Sequence, residues 1–293
     1  MHPTDADEST LEHEIANLES QLHAAKSRLN ARRQALSPSP SSQLQDTSHH
    51  YLLLLSDSAL PLGSFAFSSG LESYIAHSNS LPSYRYKPSF PSFLPLSLSS
   101  YASTTLPFVL AAHRFPDSIP ELDDALDASI ICAVGRRASV AQGRALLSIW
   151  EKSLSLSSAI PPSARSTLSN YSSLLRSSTY TRGGGDDLPP PVSAHLAPLF
   201  GAVCAILGLT LHQTAYIFLL SHAKALVSAA VRASMFGPYQ AQKVLAGGEV
   251  QTLIHDMVQR EWDTRVEDAG QSVPVMDLWI GRHEMLYSRI FNS

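Results

Sequence analysis

An all-α body is the fold class this sequence predicts, and three observations predict it. Long segments carry apolar residues at steps of three and four, the spacing of one helical face. Runs of Val, Ile and Thr with alternating polarity, which would mark strands, are scarce. Proline and glycine punctuate the chain at the ends of the periodic segments. A chain of 293 residues is long enough to bury one sizeable core.

The first element spans residues 9–36. Leu11, Ile15, Leu18, Leu22, Ala25 and Leu29 step alternately by four and three, which is a heptad stripe. Glu12, Glu14 and Glu19 come early and Lys26, Arg28, Arg32 and Arg33 late, the order that suits the helix dipole. Barely three heptads are marginal for a lone helix. This coiled-coil-like segment is therefore expected to pair with another copy or to lie on the main body. Ser37-Pro38-Ser39-Pro40-Ser41-Ser42 reads as a flexible linker. Residues 1–50 are thus an N-terminal extension, and 51–293 the body.

The body opens with LLLLSDSALPLGSFAFSSGLE, residues 52–72. Pro61 cannot continue a helix, and Gly63 permits a turn with positive φ. Ser69 and Glu72 fit the Ser-x-x-Glu capping box, so a second helix is expected to start there and run through Tyr74 and Ile75. A phosphate loop is excluded because no Lys follows Gly70, and a nucleophile elbow because Gly-x-Ser-x-Gly is absent. A hydrolase using Ser68 or Ser69 therefore ranks last. Phe65 and Phe67 stand in a serine-rich turn, where they either cap the core or offer another protein an aromatic contact.

Further on, Leu81–Pro95 and Ser153–Pro191 are rich in Ser and Pro and read as insertions or loops. Leu122–Trp150, Leu209–Met235 and Gln240–Val258 read as long helices. Between Asp187 and Lys224 no charge occurs, which raises an alternative: an integral membrane protein with a helical hairpin at 196–235. Pro198, Gly201, Gly208 and the polar His212-Gln213-Thr214 interrupt that run before about 20 apolar residues accumulate, so a buried helix pair is expected instead. The start of the chain has neither a basic leader nor an apolar run, and no signal peptide is expected.

The formal charge of −4 is mild and no basic block stands out, so no nucleic-acid partner is expected. Cys132 and Cys204 are far apart and in apolar surroundings, which points to a reducing compartment. Among twelve histidines there is no His-Glu-x-x-His. His49-His50 lies in the linker, and His212 and His222 diverge by roughly 80° around one helix. Neither a metal site nor a catalytic centre is expected.

The tail, 274–293, closes the chain with Met276, Ile280, His283, Tyr287 and Ile290 at helical steps. An apolar stripe so near a terminus must dock, either on its own body or on a partner.

These pieces resemble the UreF family of urease accessory proteins. The similar segments are LLLLSDSALPLGSFAFSSGLESYI at 52–75, RRASVAQGRALL at 136–147, LVSAAVRASMFGPYQAQKVL at 226–245 and HEMLYSRIFNS at 283–293. The resemblance covers about residues 51–293. The extension and the Ser/Pro insertions depart from the shorter bacterial pattern and suggest a fungal-type member.

The resemblance implies a UreF-like helical bundle that is no enzyme and binds no cofactor. It implies a cytoplasmic, chaperone-like homodimer in nitrogen metabolism, without membrane contact. Such a protein bridges a UreD/UreH-type accessory protein to the GTPase UreG and supports nickel insertion into apo-urease. Nickel is handled by the assembled complex and is not expected as a permanent ligand. Carried over by position, Tyr287, Arg289, Ile290 and Phe291 would meet the UreD/UreH-type protein. Arg232, Tyr239, Gln242 and Lys243, around Gly237-Pro238, would meet the GTPase. Asp57, Pro61, Gly63, Phe65, Ser69, Gly70 and Glu72 match the family's first motif and would frame a bend near the assembly surface.

Overall fold

The computed structural model describes residues 13, 15, 17–29, 40–79, 87–157, 160–180 and 192–292. Among them there is no strand, and the fold is all-α as expected. The chain divides into two units, 1–47 and 48–293.

In the first unit, residues 17–29 form helix α1, on which Leu18, Leu22 and Leu29, like Ile15 before them, are more than half exposed. Leu11 lies outside the described residues. The expected linker is helical from Pro40 onward, because α2 covers Pro40–Ser56 and a proline suits a first helical turn.

In the second unit the chain continues as α3 (Leu71–Asn79), α4 (Phe90–Arg114), α5 (Ile119–Ser129), α6 (Ala133–Lys152) and α7 (Pro162–Tyr180). Then come α8 (Leu196–Ile206), α9 (Leu211–Arg232), α10 (Pro238–Ala246), α11 (Gly248–Glu261) and α12 (Val275–Arg282). The core forms around α4, which packs on α8, α9 and α11. Phe93, Leu98, Ala102, Leu106 and Leu110 of α4 are fully buried. α4 and α8 cross closely at Gly201, where a Cβ would lie 2.2 Å from the Val109 carbonyl oxygen, so no larger residue fits. Pro107, inside α4, has no N–H for the carbonyl four residues earlier. That carbonyl, of Ser103, accepts instead from the Gly270 N–H (3.1 Å) and so fixes the segment leading into α12.

Two caps set the central helices. Thr210 and Gln213 form a reciprocal capping box at the start of α9. The start of α8 is capped from afar: the buried Asp123 carboxylate accepts the N–H groups of Ser193 (2.5 Å), Ala194 (3.1 Å) and His195 (2.6 Å). A negative charge there also meets the positive end of an uncharged, buried helix.

Four expectations are corrected. Leu122–Trp150 is two helices, α5 and α6, parted at Ile130–Cys132. Asp127 Oδ1 and Ser139 Oγ both reach the His195 ring, at 2.8 and 3.0 Å. On one straight helix those residues would lie about 18 Å apart, so the break is required. Gln240–Val258 divides at Gly247-Gly248, two poor helix formers in succession. The insertion assigned to 153–191 contains α7, whose Leu168 and Tyr171 are buried; serine richness hid a helical apolar face. The loop assigned to 81–95 ends early, since α4 starts at Phe90 with Pro91 in its first turn. The GGGDDLPPP stretch lies outside the described residues.

α9 is long and apolar enough to cross a membrane, but 56 % of its most apolar window is buried inside the fold. α8 has only 11 residues, and Leu196–Cys204 are all buried. All of Leu196–Cys204 and just over half of the apolar window of α9, the surface a membrane hairpin would give to lipid, are covered here by protein.

Candidate functional site

The opening motif folds as a bend, and its residues take distinct parts. Asp57 Oδ1 accepts the Ala59 N–H (3.0 Å) as α2 ends, Pro61 is exposed and Leu62 buried. Gly63 has φ +74°, as a turn glycine should, and a 3-10 turn covers Ser64–Ala66. Ser64 donates to Gln142 of α6 (2.8 Å). Phe65 is exposed and Phe67 half-buried, so only one of the pair faces inward.

Ser69 (φ +48°) and Gly70 (φ +86°) then reverse the chain into α3. At Gly70 a Cβ would lie 3.2 Å from Ile280 N, Ile280 Cγ1 and Trp279 Cβ, so α12 rests directly on this backbone. The capping box does not form. A residue in the left-handed region cannot take the extended N-cap geometry, and the hydroxyl reaching the Glu72 N–H is that of Ser68 (3.4 Å).

Freed from capping, Glu72 receives the end of the chain. Its carboxylate accepts from His283 Nε2 (2.9 Å), the Ile290 N–H (2.7 Å) and the Phe291 N–H (3.2 Å). The Asn292 N–H donates to the Ala66 carbonyl (2.8 Å). Arg232, the last residue of α9, donates to the Phe65 carbonyl and lies 4.3 Å from the centre of the buried Phe291 ring. Partial desolvation there lowers its pKa. An ion pair between Arg137 and Glu284 joins α6 to the tail.

The helical stripe expected through Ile290 therefore ends early. α12 stops at Arg282, a 3-10 turn covers His283–Met285, and the amides of Ile290 and Phe291 are given to Glu72 rather than to a helix. Met276 and His283 face inward, whereas Met285, Tyr287 and the Ile290 side chain face solvent. Arg289 is exposed as well. The tail is pinned at both edges and presents its middle.

The residues assigned to the GTPase separate. Arg232 joins the tail cluster. Tyr239, Gln242 and Lys243 stand on α10, all exposed, while Ala241 between them is buried. α10 starts at Pro238 just after Ser234 turns the chain with φ +60°.

A cavity of about 400 Å³ lies behind the bend, lined by α4, α6, α9 and α12 and rich in hydroxyls. In it the His222 ring stacks on Tyr101 at 4.0 Å, and Nε2 meets Ser97 Oγ at 3.0 Å. Burial pushes His222 down to about 3. Burial thus makes His222 a weak base toward the Ser97 hydroxyl. Among the described residues no group of three or more His, Cys, Asp or Glu side chains is placed to hold a metal ion.

Sequence reasoning missed the Asp123–Asp127–His195 cluster and the Glu72–His283 pair. Its one available signal was acidic residues set beside apolar core positions, Leu122-Asp123 and Leu126-Asp127.

The UreF family model matches residues 87–248. A Schizosaccharomyces pombe protein, described as an uncharacterised urease accessory protein UreF-like, is 39 % identical over 247 residues, covering 84 % of this chain and 98 % of that protein. Urease accessory protein F of Oryza sativa subsp. japonica is 32 % identical over 243 residues, covering 81 % of this chain and 82 % of its own. Urease accessory protein UreF of Paenarthrobacter aurescens is 30 % identical over 241 residues, covering 82 % and 95 %.

Proposed function

Because the chain belongs to the UreF family, we propose that it acts in urease maturation as a non-enzymatic assembly factor, bridging a UreD/UreH-type protein and the GTPase UreG. Nickel is the cargo of the assembled complex and passes to apo-urease. The protein works in the cytoplasm as a homodimer.

One observation carries this reading: a tail anchored through Glu72, Arg232 and Phe291 that turns Tyr287 and Ile290 outward. An ordered backbone under large exposed side chains leaves only side-chain freedom to be lost on binding, which favours a contact surface. Tyr287, Arg289 and Ile290 meet the UreD/UreH-type protein directly, and Phe291 holds their backbone in place. Tyr239, Gln242 and Lys243 on α10 form the GTPase contact. The mechanism is positional. Nucleotide state alters release of the metal because each partner binds two states of the assembly unequally.

The test uses purified full chain with each partner in turn. Tyr287→Ala should weaken capture of the UreD/UreH-type protein by about 30-fold, the scale of a central interface aromatic, while leaving the helical circular dichroism unchanged. Deleting 283–293 should abolish it. Tyr239→Ala with Lys243→Glu should affect UreG alone. Undiminished capture by the deleted chain would overturn the proposal.

A further inference from the structure

Three helices turn small side chains toward the cavity behind the bend: Ser100 and Thr104 of α4, Gly135 and Ala138 of α6, and Ser221 and Ala225 of α9. Each pair is three or four residues apart and so shares one helical face. None of the six is large enough to close the space, and about 400 Å³ lies between the helices. At about 30 Å³ per water that is room for about 13 waters. An organic molecule of roughly that many non-hydrogen atoms, or a few more because covalent bonds draw them together, fits the same space, within the size class of ordinary ligand pockets. We propose that this cavity is a binding site for a small, uncharged aromatic molecule that carries an acceptor oxygen.

The lining chooses the class of molecule. Its apolar part is largely aromatic: Tyr101 stacks on Phe218 with ring centres 5.0 Å apart, and Phe218 meets Phe200 at 5.3 Å. Flat rings add stacking to simple burial against such a wall. Among the hydroxyls, Ser97 and Ser139 are engaged by His222 and His195. Those of Ser100, Tyr101 and Ser221 have no hydrogen-bond partner among the described residues, so three donors are left to the contents of the cavity. Burial raises the Tyr101 phenol well above its ordinary value, and it stays a protonated donor.

Charge narrows the class further. Among the described residues the lining holds one charged side chain, Asp277, and no Lys or Arg. The Asp277 carboxylate already accepts from Gln271 Nε2 (3.0 Å). An anion enclosed here would lack a counter-charge, and a cation would find the one carboxylate engaged. His222, kept neutral by burial, adds no charge of its own. A neutral molecule meets neither cost, and its rings displace water from an aromatic wall. Met276 and Ile280 of α12 close one side of the cavity, and Ser64 and Phe67 of the bend close another. The occupant therefore touches both elements that frame the seat of the tail.

The experiment titrates the full chain with prodan, a neutral naphthyl ketone of suitable size whose emission moves to shorter wavelength in apolar surroundings. A single saturable site with a micromolar Kd is expected. Anilinonaphthalene sulfonate, an anion of similar size, should not displace the probe. Tyr101→Phe keeps the ring and removes the hydroxyl, and should weaken binding by about 3- to 10-fold, the worth of one neutral hydrogen bond. Ala225→Phe sets a ring inside the cavity and should weaken it by roughly 30-fold or more, because the space is taken. Circular dichroism checks that both variants fold; if Ala225→Phe loses its helices, the Tyr101→Phe titration decides alone. Absence of a saturable site overturns the proposal. So does binding that neither substitution weakens, which would put the probe on exposed aromatics elsewhere, and so does displacement by the sulfonate, which would refute an uncharged ligand.

Discussion

Replacing Glu72 by Ala removes one carboxylate that takes three donors from the tail, His283 Nε2, Ile290 N–H and Phe291 N–H. Hydrogen bonds to a charged group contribute about 1.5–3 kcal/mol each, so simple addition gives roughly 5–9 kcal/mol. That sum is a ceiling that the molecule does not reach, because the tail has an alternative. Once docking becomes unfavourable the segment after His283 swings into water, and its amides are rehydrated. What is then lost is the docking free energy. It includes burial of Phe291, about 2 kcal/mol, and the Arg232–Phe291 contact, about 1 kcal/mol. Glu72→Ala should therefore open the tail and leave the body folded.

Limited trypsin cleavage reads this directly, because Arg289 precedes the two anchored amides and Arg282 ends α12. A loss of about 2–3 kcal/mol in local opening free energy should raise cleavage after Arg289 by about 30- to 150-fold. The melting temperature of the body should fall by only a few degrees, since a chain of this size loses about 2–4 °C per kcal/mol. Glu72→Gln, which retains an acceptor without the charge, should lie between. An unchanged cleavage rate, or a body that unfolds together with the tail, would refute the claim that Glu72 works as a local latch.

Two other perturbations address the core. Asp123→Ala leaves three amides at the start of α8 without their buried acceptor; a loss of about 3–4 kcal/mol and of roughly 10 °C in melting temperature is expected by circular dichroism. A shift under about 2 °C would show that another group caps α8 equally well. His222 is held neutral by burial, with a pKa near 3 against 6.5 for the ordinary group. The unfolded chain thus binds the extra proton first, and stability falls as pH drops from about 6.5 toward 3, by up to about 1.4 kcal/mol per pH unit for this one residue. Burial lowers His113 in the same direction. His222→Gln should flatten the acid limb of stability measured by urea unfolding, and an unaltered slope would contradict the assignment.

Helix content was legible because three- and four-residue spacing is a property of each segment alone. The breaks were not, because distant groups cause them. Nothing within Leu122–Trp150 announces that Asp127 and Ser139 must both reach the imidazole of His195. α7 was hidden for a different reason: its buried Leu168 and Tyr171 are thinly spread among serines, and composition outweighed period. At the site, Phe65, Gly70, Glu72, Arg232 and Phe291 were each singled out, yet in separate roles. Their convergence rests on bonds between residues more than 160 positions apart, such as Arg232 to Phe65 and Ile290 to Glu72. The Ser69–Glu72 capping pattern misled because its chemistry is local and the competing partners of Glu72 are not.

The joint position of Arg232 gives the two exposed surfaces a physical connection. α9 begins at an exposed capping box and ends at the residue that grips Phe291 and the Phe65 carbonyl. Seven residues further on, Tyr239 opens the α10 surface. A partner that draws the tail away must release Arg232, and the chain from Arg232 to Pro238 contains both the left-handed Ser234 and the extended Gly237 through which such a change would pass. Coupling between separated sites requires an element with two arrangements that both sites bias. A tail docked on Glu72 in one arrangement and released by a partner in another would be such an element, and Arg232 would be where the second site senses the change. The bend of the first motif is the seat on which the tail docks, through Glu72 and the Ala66 carbonyl.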